Sequence, residues 1–364
     1  MIRTYSLLAL NLYLMSSPAA AMPFCDVIGG GNGHLSVHND VPTHYQTART
    51  FAELKGFLQA GEPNVFIPAD VDILLPLEPA ALVIGEGQRV FGDRGIRGSV
   101  GARLYVVASD EQPHAYPVIT LASFSRVSGL RLEGPSGRAD TPLMTIGLQL
   151  LPGSRGVRID NNDIYHWPWA GISVKQAVDN TISYNYIHHN LRHERGYGMV
   201  VQNGHAQADL YCNVFDANRH ALAGSGQAGE GYYAHHNLIL QGGGRAAYHQ
   251  MDMHKLGDIG GKYVDIRYNW FDYGRYGTSN RSSIMIRGIP TDGPAHIAWN
   301  IFSQGVQVGS QWAIDGVPGA IPGQAQWRSE NTFDVALDYV KTTDRCELHD
   351  GQGHHPVLCE ALDF

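Results

Sequence analysis

"VRIDNNDIY" fills residues 157–165 and "TISYNYIHH" residues 181–189. Four later stretches follow the same plan: "ADLYCNVFD" (208–216), "YYAHHNLIL" (232–240), "VDIRYNWFD" (264–272) and "AHIAWNIFS" (295–303). Each sets one asparagine between two short β-prone runs. These are Asn162, Asn185, Asn213, Asn237, Asn269 and Asn300, at spacings of 23, 28, 24, 32 and 31 residues. Short strands around one bend at such a period predict the rung of a solenoid. An asparagine can bond its own backbone at a bend and its counterpart one rung on. Six in register therefore predict a ladder along one corner.

A second run follows the asparagine segments: "GISVK" (171–175), "GMVVQ" (198–202), "ALAGS" (221–225), "QMDMH" (250–254) and "SIMIR" (283–287). Strand side chains alternate between faces. The second and fourth positions are Ile172/Val174, Met199/Val201, Leu222/Gly224, Met251/Met253 and Ile284/Ile286, and they form the inward set. The third and fifth positions then face out as two columns. One is Ser173, Val200, Ala223, Asp252, Met285; the other is Lys175, Gln202, Ser225, His254, Arg287.

The rungs and the asparagine column resemble the right-handed parallel β-helix of the pectate-lyase-like superfamily, over residues 60 to 310. The resemblance implies an all-β, single-stranded parallel β-helix. "TARTFAELKGFLQAG" (47–61) reads as an amphipathic helix capping its open end. The expected organisation is a signal peptide (1–21), an N-terminal segment with the capping helix (22–60), the β-helix (61–310) and a tail packing on or capping it (311–364). No specific family is implied. "RGIPTD" (287–292) lacks the second arginine of the calcium pectate lyases' RxPxxR. The Asp-Pro-His-Asp of mannuronan epimerases and the Asn-Thr-Asp of polygalacturonases are absent. The superfamily holds lyases, hydrolases, epimerases and adhesins, so fold alone does not choose a reaction.

Composition agrees with a turn-rich β protein: 43 glycines in 364 residues and 16% charged residues. A formal charge of −8 argues against nucleic acid or an anionic membrane as partner. "MIRTYSLLALNLYLMSSPAAA" (1–21) has a basic start, an apolar run and small residues before a cleavage point. It predicts export to the periplasm or medium. No other stretch is apolar enough to span a bilayer. In that compartment Cys346 and Cys359 are expected to pair. Cys212 is expected as a buried core thiol, and Cys25 has no evident partner.

Stacked rungs lie about 4.8 Å apart. His254 and Arg287 should then be neighbours, with Asp252 about 7 Å from His254 and exposed on the same face. Lys175, three rungs away, falls at roughly 14 Å. Loops before these strands add His193, Glu194, Arg195, Arg219, His220, Glu230, Arg245, Tyr248 and His249. The candidate catalytic groups are His254, Asp252, Arg287, Lys255, His220 and Tyr248. The candidate substrate-binding groups are Lys175, Gln202, Ser225, Arg219, Glu230 and Arg195. His249 points away from Asp252 and His254 on an alternating strand, so no metal site is expected there. No cofactor is expected, since calcium would want more carboxylates than this face supplies.

A basic edge on an acidic protein points to an anionic oligosaccharide or polysaccharide, bound by a monomer. β-Elimination at a uronate needs a cation for the carboxylate, a base for the C5 proton and an acid for the leaving oxygen. This face offers all three. A C5-epimerase needs nearly the same parts. A glycoside hydrolase needs two carboxyl groups about 5–9 Å apart, and only Asp252 lies on the strand. A non-catalytic carbohydrate binder would line the groove with aromatics, for which Trp167, Trp169, Tyr197 and Tyr233 are candidates. The expected activity is thus a polysaccharide lyase, with the hydrolase, the epimerase and the binder as alternatives.

Overall fold

A computed structural model describes residues 24–34, 41–109, 115–240, 248–272, 281–343 and 345–362. Its core is a right-handed parallel β-helix. Three sheets of ten, nine and nine strands run along it, with every strand paired in parallel to its counterparts one rung away. One coil shows the plan. Arg158–Asp160 lies in the ten-stranded sheet, Asp163–Tyr165 in the second and Ala170–Lys175 in the third. The chain then returns to the ten-stranded sheet at Asn180–Ser183.

The ladder stands at the corner between the first two sheets. The residue before each asparagine adopts a left-handed backbone: φ is +56° at Asn161, +55° at Cys212 and +57° at Trp299. That bend is unfavourable for a residue with a Cβ, and the asparagine offsets the cost. Asn213 Oδ1 accepts from the backbone N–H and the Nδ2 of Asn185, both at 3.0 Å. Its own Nδ2 donates to Ile182 O and to Asn237 Oδ1. The six expected residues form one continuous chain of such bonds, and Asn331 extends it by a seventh. A second, shorter ladder joins Asn190 to Asn218 ahead of the third sheet, with Nδ2 to Oδ1 at 2.8 Å.

The inward set is as the alternation predicts: Ile172, Met199, Leu222, Met251 and Ile284 are fully buried in one apolar core. Helix Phe51–Gln59 opens with a capping box of Thr50 and Glu53 and buries Leu54 and Leu58 in that core. The coil continues to Ile314–Gly316, which pairs with Ile284–Ile286. Past it, a three-stranded antiparallel ribbon of Asp338–Lys341, Cys346–His349 and His354–Val357 packs sideways on the second sheet.

Cys346 and Cys359 are bonded, as their spacing suggests. Cys212 is not a core thiol: it is bonded to Cys25, 187 residues away. The N-terminal segment reaches it by running between the coil and the tail, where Ile28 bridges to Val357 and Gly29 N–H donates to Cys212 O. Residues 1–21, with the expected signal, lie outside the described residues.

Candidate active site

The third sheet carries the expected columns in the expected register. Lys175 pairs with Gln202, and Asp252 stands between Ala223 and Met285. His254 N–H donates to Gly224 O and Arg287 N–H to Met253 O, so Ser225, His254 and Arg287 occupy successive rungs.

Asp252 points away from the core but is not exposed: its side chain is 0% accessible. Alternation fixed the direction and not the cover. Arg287 donates to it through Nε at 3.0 Å and Nη2 at 2.8 Å. His254 Nε2 lies 3.1 Å from its Oδ2, and His220 Nδ1 3.7 Å from the same oxygen. Burial pushes the Asp252 carboxyl up, but His254, His220 and Arg287 outweigh it and hold it well below the usual range. Asp252 is therefore an ionised anchor that orients its neighbours.

His254 keeps a side chain 41% exposed while its Nε2 is covered, 3.1 Å from Asp252 Oδ2 but not aligned for a hydrogen bond. In the tautomer that places the proton on Nε2, Nδ1 is left as the basic atom. His220 is in a different situation. It is buried, its Nδ1 lies 2.6 Å from His249 O, and its Nε2 lies 2.7 Å from Arg219 Nη1. A carbonyl can only accept and a guanidinium can only donate, so His220 is neutral with its proton on Nδ1. Burial lowers its pKa to about 3. His220, expected among the proton-transfer candidates, has both ring nitrogens engaged, one by His249 O and the other by Arg219.

Three residues before the first inward position of each run lies another column: Trp169, Gly196, Arg219, Tyr248 and Arg281. Tyr248 thus sits between two guanidinium groups, Arg219 at 4.9 Å and Arg281 at 4.5 Å from its ring centroid, with Arg287 at 5.9 Å. Sequence reading missed Arg281, although this alignment would have placed it over Tyr248. Three cations against one buried carboxylate make this patch positive on a chain of net charge −8.

Other candidates fall elsewhere or are occupied. Glu230 is buried, contrary to its expected place in a groove. It accepts from Ser225 Oγ and from the N–H groups of Gly204 and Gly226, holding the loop. Ser225 is committed to that bond. Gln202 Nε2 donates to Ser173 Oγ, and Lys175 is half-buried beside it in register. Arg195 lies over Trp169 at 5.5 Å, and Lys255 is exposed one residue past His254. His249 is buried, with Nδ1 3.0 Å from Ser282 O. Of the expected sugar-stacking aromatics, Trp167 is a core residue bonded to Leu132 O, and Tyr233 lies on the ten-stranded sheet. Trp169 and Tyr197 do flank this face, packed on Val200 and Ala223. Arg245 lies outside the described residues. A cleft of about 580 Å³ between the N-terminal segment and the tail, lined by Phe24, His236 and Trp299, is remote from these groups.

A family model described as "Right handed beta helix region" matches residues 127–239. The chain is similar in structure to an alginate lyase from Paenibacillus sp. str. FPU-7. The TM-score is 0.51 and the identity 14%, over 80% of this chain and 100% of that one. It is also similar to the Dettilon tailspike protein gp208, with a TM-score of 0.36 and 10% identity over 89% and 73% of the two chains. No curated protein sequence matches it.

Proposed function

We propose that the chain is an exported carbohydrate-active enzyme that cleaves a uronate-containing polysaccharide by β-elimination. The observation that carries this reading is the packing of Arg219, Arg281 and Arg287 around Tyr248, beside a half-exposed His254 whose Nε2 lies 3.1 Å from a buried carboxylate. A sugar carboxylate placed against Arg281 and the outer edge of Arg287 has its charge neutralised, which acidifies the C5 proton. His254 Nδ1 accepts that proton. The electron pair forms the C4–C5 double bond, the C4–O bond breaks, and the leaving oxygen takes a proton from Tyr248 or water. A hydrolase reading is weaker here, because Asp252 is bound to Arg287 and Glu230 is tied to its loop. The fold's similarity to an alginate lyase is consistent with a uronate substrate, and two disulfides suit an oxidising compartment.

The test is to incubate the purified protein with a panel of uronate polysaccharides and a neutral control, reading the ultraviolet absorbance of unsaturated ends. His254→Ala should lower turnover roughly 10²-fold with little change in binding, while Arg287→Ala should damage both. No unsaturated product on any uronate polymer, with binding retained, would leave the non-catalytic carbohydrate binder as the better reading. Full turnover by His254→Ala would move the base role to Tyr248 or Lys255.

A further inference from the structure

The tail ribbon carries a cluster unconnected with the site above. His349 stands directly opposite His354 on the antiparallel partner strand. Cys346 and Leu348 turn into the core, so alternation puts Glu347 and His349 on the ribbon's other face. Glu347 Oε2 lies 3.2 Å from His349 Nε2 and 4.0 Å from His354 Nδ1. One donor atom from each of the three lies within 4.8 Å of the others. Arg345 Nη2 occupies the opposite carboxylate oxygen, Oε1, at 2.8 Å, which turns Oε2 towards the imidazoles. We propose that Glu347, His349 and His354 form a binding site for a borderline divalent metal ion, with zinc as the type.

The donor set selects that class. Two imidazoles and one carboxylate suit zinc, nickel or copper, whereas calcium wants six or more oxygens. Bonds of about 2.0–2.1 Å in a tetrahedral zinc site put donor atoms roughly 3.4 Å apart. The Glu347–His349 spacing is already close to that. The rings of His349 and His354 stack with centroids 3.7 Å apart and planes 3° from parallel, so their lone pairs lie in separate planes. One ring must turn to share an ion, and His354, 65% exposed, can do so without disturbing the core. Water would complete the coordination, and the ion would clamp the two strands together.

The test is a calorimetric titration of zinc into the chelator-treated full chain near neutral pH, with His349→Gln and His354→Gln beside it. The wild type should show one site of micromolar affinity, each substitution should weaken it at least tenfold, and zinc should raise the melting temperature of the wild type more than that of either variant. His354 is exposed, so His354→Gln should melt like the wild type without metal, separating loss of a ligand from loss of fold. Absence of a zinc site, an isotherm unchanged by both substitutions, or calcium binding as tight as zinc would overturn the proposal. None of these outcomes bears on the lyase reading.

Discussion

Asp252 shows what alternation carries and what it omits. The pattern of "QMDMH" puts Met251 and Met253 inside and Asp252 outside, and both directions hold. Exposure does not follow from direction, because Arg287 and His254 arrive from rung spacing and loop geometry and close over the carboxylate. An exposed Asp252 would make Asp252→Asn silent for stability. The buried one predicts a loss of about 2 kcal/mol. This is less than the roughly 3–5 kcal/mol of a fully buried pair, since Arg287 and His254 can turn to water. The loss should depend on pH. The folded carboxyl titrates well below the usual value near 3.9. Its contribution is therefore complete above about pH 5 and is lost progressively as pH falls below that. Urea midpoints at pH 6 and pH 3 should show the variant's deficit shrinking in acid; an equal deficit at both would mean that ionisation of Asp252 contributes nothing.

At the scale of the element, six asparagine segments were enough to predict the corner and its period, and alternation in the second runs was enough to predict the inward set of the third sheet. Asn331 was not legible because helix Gln324–Glu330 precedes it where the other rungs have a strand. Among the described residues the Asn190–Asn218 ladder has two members, too few to stand out as a repeat. The ladder's energetics depend on position. Asn213 has neighbours on both sides, and without its Oδ1 the buried N–H of Asn185 loses its acceptor. Asn331 accepts from Asn300 but has no further ladder asparagine above it among the described residues. Asn213→Ala should cost about 2–4 kcal/mol, several bonds at a buried bend, and Asn331→Ala distinctly less. Thermal melts of the two variants decide this; equal losses would mean that the ladder acts as isolated bends rather than as a column.

Over the whole molecule, charge and covalent links set behaviour that no single rung reveals. The chain is acidic, yet its candidate site gathers Arg219, Arg281 and Arg287. Binding of an acidic oligosaccharide should then weaken as salt rises, since the Debye length shrinks to about 8 Å at physiological ionic strength. Arg281→Ala should matter most at low salt, and an affinity indifferent to salt would argue for a neutral ligand. The disulfides divide differently between sequence and structure. Cys346 and Cys359 are 13 residues apart and could be paired from proximity, whereas Cys25 and Cys212 are 187 apart and meet only because the N-terminal segment is threaded between coil and tail. Loop-closure entropy makes the long link the stronger constraint on the unfolded chain, about 5 kcal/mol against about 3 for the short one. In a solenoid each rung contacts only its neighbours, so a link across many rungs also couples regions that could otherwise unfold separately. Cys25→Ala/Cys212→Ala should therefore lower the melting temperature more than Cys346→Ala/Cys359→Ala and should broaden the transition. The comparison is made by calorimetry without reductant. If the long-link variant melts like the wild type, the N-terminal segment is not held to the coil by that bond.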